Sequence, residues 1–184
     1  MAGDKKYDLC IIGGAGHVGL PFGVAFATSD VKTVLLDINR EALEKIKSGH
    51  FPFKEHGGDE ALKSALEKNT LFTSDAPEVI GESEYAVIII GTPVDEYLSP
   101  DFRGIIRLVD KYFDHFRNNQ IIILRSTVYP GTTEKIQKYF QSKGKKVRLA
   151  FCPERIMQGH GIDESKTLTQ IISAFDEETL NEVA

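Results

Sequence analysis

The sequence predicts an α/β fold, a doubly wound parallel sheet of the Rossmann type with helices on both faces. Three observations lead there. Short apolar runs, among them Leu9 to Ile12, Val34 to Leu36 and Tyr85 to Ile90, recur along the chain and read as strands buried on both faces. Segments with helical apolar spacing alternate with them, the pattern of strand–helix–strand crossovers. The first run passes directly into Gly14-x-Gly16-x-x-Gly19 and then into a helical pattern carried by Val18, Phe22, Ala25 and Phe26. Strand, glycine turn and helix in that order turn a weak glycine pattern into a dinucleotide-binding fingerprint.

Taken in order, the first strand runs from about Tyr7 to Ile12 and the first helix from about His17 to Ser29. A second strand over Val31 to Asp37 follows. Asn39 is a good N-cap for a helix over Arg40 to Ser48, which Gly49 ends. Residues 51–58 form a loop without periodicity, and Asp59 to Lys68 resumes a helical pattern. Leu71 to Thr73 is a short strand, and Ser74 or Asp75 caps a brief helix through Val79. Tyr85 to Ile90, the most apolar strand, runs into Gly91-Thr92-Pro93. Val94 to Pro100 reads as loop and Phe102 to Phe116 as a long amphipathic helix. Gln120 to Leu124 is the next strand, Pro130-Gly131-Thr132-Thr133-Glu134 a turn and helix start through about Ser142, and Val147 to Cys152 a sixth strand. Thr169 to Ala174 offers a seventh short strand, and a helix begins at Glu177.

Each glycine of the fingerprint has an expected job. Gly14 permits the tight turn, Gly16 lets a pyrophosphate approach the backbone, and Gly19 lets helix and strand pack closely. The helix N-terminus then faces the phosphates with free N–H groups and its positive dipole end. Asp37 ends the second strand roughly 20 residues further on, where an acid accepts the adenosine ribose hydroxyls and repels a 2′-phosphate, favouring NAD over NADP. Arg40 is close by and is expected to open the next helix.

Composition narrows the function classes. A chain of 184 residues buries one sound core, and its formal charge of −5 gives no basic face for nucleic acid. No apolar run approaches the roughly 20 residues needed to span a bilayer, and no signal peptide precedes the first strand, so a cytoplasmic protein is expected. Cys10 and Cys152 read as buried thiols of a reducing compartment. His17, His50, His56, His115 and His160 lack metal-ligand spacing, so no metal site is expected.

Chemistry belongs where parallel strands end at their carboxyl termini. Gly91-Thr92-Pro93, Ser126-Thr127 and Pro153-Glu154-Arg155 stand there beside the glycine turn. Thr92 and Thr127 offer hydroxyls, and Glu154 a carboxylate able to act as a base or orient a water. A threonine at a strand end is as readily a cap, and a glutamate before an arginine as readily a solvated ion pair.

These motifs occur together and in order: Gly14-x-Gly16-x-x-Gly19-Leu20-Pro21, Asp37-Ile38-Asn39, Gly91-Thr92-Pro93 with Pro100-Asp101, Ser126-Thr127-Val128-x-Pro130-Gly131-Thr132-Thr133, and Pro153-Glu154-Arg155-x-x-x-Gly159. The combination resembles the amino-terminal domain of the UDP-glucose/GDP-mannose dehydrogenase family over about residues 7 to 175. The resemblance implies oxidation of a nucleotide-sugar C6 hydroxyl to a carboxylate, in two steps, with two NAD and a thioester between. It implies a cofactor set of Gly14, Gly16, His17, Val18, Gly19, Asp37, Asn39, Arg40, Gly91, Thr92, Pro93, Ser126 and Thr127. Thr127 would hold the hydrolytic water with Glu154 assisting as base or water-orienting residue, and Glu154, Arg155, Ile156 and Gly159 would contact the sugar nucleotide. The Pro-Glu-Arg form is similar to the branch acting on UDP-N-acetylhexosamines, such as UDP-N-acetylglucosamine or UDP-N-acetylmannosamine, where UDP-glucose enzymes tend to carry Pro-Glu-Phe-Leu.

The family's catalytic cysteine, with its Lys and Asn partners, does not match Cys152 and is expected in a longer parent beyond residue 184. On this reading residues 1–175 are the cofactor domain, 176–184 begin a linker helix, and the parent is a homodimer. A β-hydroxyacid-type dehydrogenase sharing the first domain, a UDP-glucose 6-dehydrogenase, and a non-enzymatic NAD-sensing module are the alternative readings.

Overall fold

The computed structural model describes residues 5–91 and 103–184. The sheet has seven strands in the order β3-β2-β1-β4-β5-β6-β7, with β1 Tyr7–Ile12, β2 Thr33–Leu36, β3 Leu71–Ser74, β4 Ser83–Ile88, β5 Ile121–Leu124, β6 Arg148–Phe151 and β7 Ser173–Ala174. All neighbours are parallel except β6 and β7, where Ala150 opposes Ala174 in antiparallel register. β1 lies between β2 and β4, with Ile12 level with both Leu36 and Ile88. Chain order therefore reverses at β1, and a crevice opens beyond the carboxyl ends of β1 and β4.

Alternate residues of the central strands feed two cores, which is why runs such as Leu9 to Ile12, Val34 to Leu36 and Ala86 to Ile88 are apolar at consecutive positions. Cys10, Ile12, Val34, Leu36, Ala86, Ile88, Ile122 and Leu124 face one side. There they meet Ile105 and Val109 of α4 (Arg103–Lys111) and Ile136 and Phe140 of α5 (Thr132–Ser142). Leu9, Ile11, Leu35 and Val87 face the other. That side is covered by α1 (Gly19–Thr28), α2 (Arg40–Lys47) and α3 (Gly58–Glu67) through Leu20, Val24, Leu43, Ile46 and Leu62. Two further helices, α6 (Gly161–Thr167) and α7 (Glu177–Val183), complete the chain. Arg148 of β6 donates to Thr179 Oγ1 at 3.1 Å and to Glu182 at 2.6 Å, which ties α7 to the sheet.

Several boundaries differ from the sequence expectation for local reasons. α1 begins at Gly19 rather than His17, because residues 13–18 form the turn itself. Where one helix was expected over Phe102 to Phe116, α4 stops at Lys111 and a 3₁₀ turn covers Phe113–His115. Lys145 Nζ donates to the carbonyls of Phe113 and Phe116, which holds that turn out of α-helical geometry. The brief helix before Val79 is a 3₁₀ turn over Pro77–Ile80, entered through a Ser74 hydroxyl that accepts from Ala76 N–H at 3.0 Å. α6 lacks an apolar stripe, with Ile162 its one buried apolar side chain, and periodicity gave no sign of it. The expected loop over Val94 to Pro100 lies outside the described residues. Among the described residues no helix is long and apolar enough to cross a membrane.

Candidate functional site

The turn after β1 is built by a different glycine from the one expected. Gly13, at φ +89°, takes the left-handed conformation that makes the turn, and a Cβ there would lie 1.9 Å from the Ile89 carbonyl oxygen. Gly14 is instead a close-approach position, where a Cβ would sit 2.7 Å from Leu35 Cβ. Gly13 and Gly14 N–H both donate to the Leu36 carbonyl, at 2.9 and 3.1 Å, which seats the turn across the end of β2. Gly19 packs on the turn as expected, since a Cβ would lie 2.3 Å from Gly13 O. At Gly16 the nearest atom to such a Cβ is Gly13 O at 3.3 Å, so its outer side is open. No side chain caps α1 and no acid stands in its first turn. Leu20 N–H donates to the Gly16 carbonyl at 3.0 Å and Pro21 has no N–H, so the positive end of the helix dipole and the Gly19 N–H are what α1 offers beside Gly16.

Asp37 sits just past β2 and is fixed by two backbone donors. Its Oδ2 accepts from Ala15 N–H at 2.9 Å, and its Oδ1 from Asn39 N–H at 2.9 Å. One further acceptor direction remains on each oxygen. Asn39 caps α2 through Oδ1, which accepts from Ala42 N–H at 3.1 Å, and Arg40 pairs with Asp75 at 2.6 Å. Asp37 borders a cavity of about 420 Å³. Gly13, Gly16, Leu36, Ile38, Ile90 and Gly91 form one side of it. Arg107, Leu108, Lys111 and Tyr112 of α4 form the other. Sequence reasoning missed this α4 wall and Ile38, which is 77% exposed. The i, i+4 spacing of Arg107 and Lys111 on an amphipathic helix was the available signal.

Further along the rim, buried Ser126 uses its hydroxyl on the end of β4. Its Oγ accepts from Ile90 N–H and donates to Ile90 O, both at 2.9 Å. Thr127 is exposed beside it. Thr92 and Pro93 lie outside the described residues. Val18 is half-buried at the head of α1, and exposed His17 stacks on Phe53 with ring centroids 4.2 Å apart. The Phe53 loop continues to His56, whose N–H donates to Gly159 O at 2.9 Å, so it straps the glycine turn to the loop after β6.

That loop is anchored by Glu154, whose partner is Arg125 rather than the adjacent Arg155. Arg125 Nε donates to Glu154 Oε2 at 2.8 Å, and Nη2 donates to the same oxygen. Glu154 Oε1 accepts from Arg155 N–H at 2.7 Å and Ile156 N–H at 2.8 Å. Arg155 turns its own guanidinium to the Thr169 carbonyl. Arg125 directly follows the β5 apolar run, but nothing in that run points to a partner 29 residues on.

Cys152 lies against Arg125, with Nη1 3.1 Å from its Sγ, and is 4% exposed. Burial raises its pKa, and fully buried Cys10 is raised further by the same cause. Raised values mean less thiolate at neutral pH than in a free cysteine. Neither thiol is expected to react with a disulfide reagent at pH 7 in the folded chain, and both should react once urea unfolds it. Rapid reaction of one thiol in the native state would contradict this burial. Among the described residues no cluster of His, Cys, Asp and Glu could hold a metal ion.

Comparison with known proteins follows this geometry. The family model described as the UDP-glucose/GDP-mannose dehydrogenase family, NAD binding domain, matches residues 7–184. The UDP-N-acetyl-D-mannosamine dehydrogenase of Methanocaldococcus jannaschii is 29% identical over 174 residues, covering 93% of this chain and 40% of that protein. The UDP-glucose 6-dehydrogenase TuaD of Bacillus subtilis is 29% identical over 164 residues, covering 86% and 35%. Among solved structures, a UDP-D-ManNAc dehydrogenase from Pyrococcus horikoshii superposes with a TM-score of 0.87 at 29% identity, over 96% of this chain and 43% of that one. The chain thus spans about 40% of the length of the first of these relatives.

Proposed function

Because this chain belongs to the UDP-glucose/GDP-mannose dehydrogenase family, as the NAD-binding domain, we propose that it holds NAD for oxidation of a UDP-sugar at C6 to the uronate. The observation that carries the reading is the Asp37 carboxylate, bonded to the glycine turn through Ala15 N–H and still open on the cavity side. The residues present fit the cofactor. Gly16 and the uncapped start of α1, with His17, Val18 and Gly19, take the pyrophosphate. Asp37 would take the adenosine ribose, with Asn39 and Arg40 beside it, and Ile38 and Leu108, which line the same cavity, would offer apolar surface to the adenine. Gly91, Thr92, Pro93, Ser126 and Thr127 receive the nicotinamide half, with Ser126 acting through its hold on Ile90. When bound, NAD supplies the hydride acceptor.

The sugar nucleotide lies against the loop of Glu154, Arg155, Ile156 and Gly159, and Thr127 holds the water of the hydrolytic step. The Pro153-Glu154-Arg155 sequence and the relatives acting on UDP-N-acetyl-D-mannosamine favour a UDP-N-acetylhexosamine. UDP-glucose is the second reading, because relatives named for it match over nearly as much of the chain. Residues 1–175 form the cofactor domain, and α7 leads toward the substrate-binding remainder of a dimeric, cytoplasmic enzyme. With both of its cysteines buried, the chain offers no thiol to form a thioester, so it binds cofactor without turning over nucleotide sugar.

Calorimetric titration with NAD and NADP tests the reading. The chain is expected to prefer NAD. Asp37→Ala removes a charged acceptor worth about 1.5–3 kcal/mol, so NAD affinity should fall roughly tenfold or more and the preference over NADP should relax. Equal affinities for both cofactors before and after the substitution would sink the ribose assignment.

A further inference from the structure

β5 and β6 end level, Leu124 opposite Phe151; Arg125 directly follows the first strand, and Glu154 stands three residues past the second. Arg125 is 2% exposed, and its guanidinium is committed on every side. Besides the two donations to Glu154 Oε2, Nη1 reaches Cys152 Sγ at 3.1 Å and Gln170 Oε1 at 3.2 Å. Its face lies 4.1 Å from the Phe22 ring centroid on α1. Glu154 is equally committed, since each of its oxygens accepts from two N–H groups. A carboxylate with its four lone-pair directions filled must lose a donor before it can take a proton or orient a water.

We propose that Arg125 is a positioning residue of the rim, and that Glu154 is the anion through which it fixes the Pro153–Gly159 loop rather than a carrier of protons. The proposal rests on the reading that this rim receives the nicotinamide half of the cofactor. Arg125 touches the helix that faces the pyrophosphate through Phe22 and touches the loop after β6 through Glu154. One buried cation therefore sets the spacing between the two. Its planar fork is what allows this, because a lysine ammonium supplies no paired, coplanar donors.

The test uses the 184-residue chain with NAD and with ADP-ribose, which shares everything with NAD except the nicotinamide ring. Arg125→Lys keeps the charge and leaves Glu154 in place. In this variant the amides of Arg155 and Ile156 are expected to exchange with deuterium about tenfold faster, as loss of part of a charge-assisted network predicts, while Ile122 and Leu149 stay protected. NAD affinity should fall several-fold, and ADP-ribose affinity, which depends on α1 but not on the nicotinamide side of the rim, should fall by less. The double variant Arg125→Met with Glu154→Leu removes both charges together and leaves neither buried alone. It should melt close to the parent yet show a larger loss in both readouts. Amides of Arg155 and Ile156 as protected in Arg125→Lys as in the parent would overturn the proposal. So would an equal loss of affinity for NAD and ADP-ribose. If the parent chain binds neither ligand, the cofactor reading fails, and the exchange of those two amides alone decides the role of Arg125.

Discussion

Gly13→Ala is expected to cost about 4 kcal/mol of stability, a large share of what holds a domain of this size folded. Two penalties combine. A left-handed φ of +89° costs a residue with a Cβ about 1–2 kcal/mol. The added Cβ would also stand 1.9 Å from Ile89 O, a backbone atom that cannot swing aside. Ile89 N–H donates to Ile12 O at 2.9 Å, so shifting this carbonyl disturbs the β1–β4 junction, and such overpacking costs about 1–3 kcal/mol or more. In a chain of this size the sum lowers the melting temperature by roughly 8–16 °C. Gly131→Ala is the matched control. Its φ is +83° and no atom lies within 4 Å of the added Cβ, so only the backbone term of about 1 kcal/mol remains. Calorimetric melting of both variants checks the difference, and equal losses would mean that the Ile89 contact relaxes freely.

Arg125→Leu is expected to cost about 3–5 kcal/mol, because it strands the Glu154 carboxylate without its cation. The Glu154 side chain is 12% exposed, so water replaces the guanidinium poorly. The stacking of Arg125 on Phe22 is lost as well, and Gln170 Oε1 and Cys152 Sγ lose a donor. Replacing both members of a buried pair by apolar groups is far milder than removing one. The urea midpoint of the single variant should therefore fall well below that of the Arg125→Met, Glu154→Leu double variant. A single-variant loss under about 1 kcal/mol would show that the pair is solvated and behaves like a surface salt bridge.

What the sequence made legible is what local chemistry writes into consecutive residues. The β1–turn–α1–β2 unit and its acid could be read because the apolar period, the glycines and Asp37 fall within one short stretch. The turn itself was read one glycine late. Gly13 and Gly14 are adjacent, and only the backbone shows which takes positive φ and which is pressed against Leu35. The pairing of Arg125 with Glu154 joins two strand ends that are neighbours in space alone. A glutamate beside an arginine in sequence suggested the wrong partner. The α4 wall of the cavity escaped because an amphipathic helix announces which face is buried, not what its exposed charges border. α6 escaped because a helix held by Glu55 accepting from Ile162 N–H, at 2.9 Å, needs little apolar surface of its own.

The last strand gives the sheet an unusual finish. A parallel sheet ending at β6 would offer a row of unpaired amides and carbonyls, and such rows recruit strands from other molecules. β7 runs the opposite way and is only two residues long, so it covers the Ala150–Phe151 half of that row while presenting scarcely any of its own. At the far side, β3 is four residues long. Short margins on both sides leave little template for strand addition, and the chain can carry very apolar inner strands with a low tendency to aggregate through its sheet.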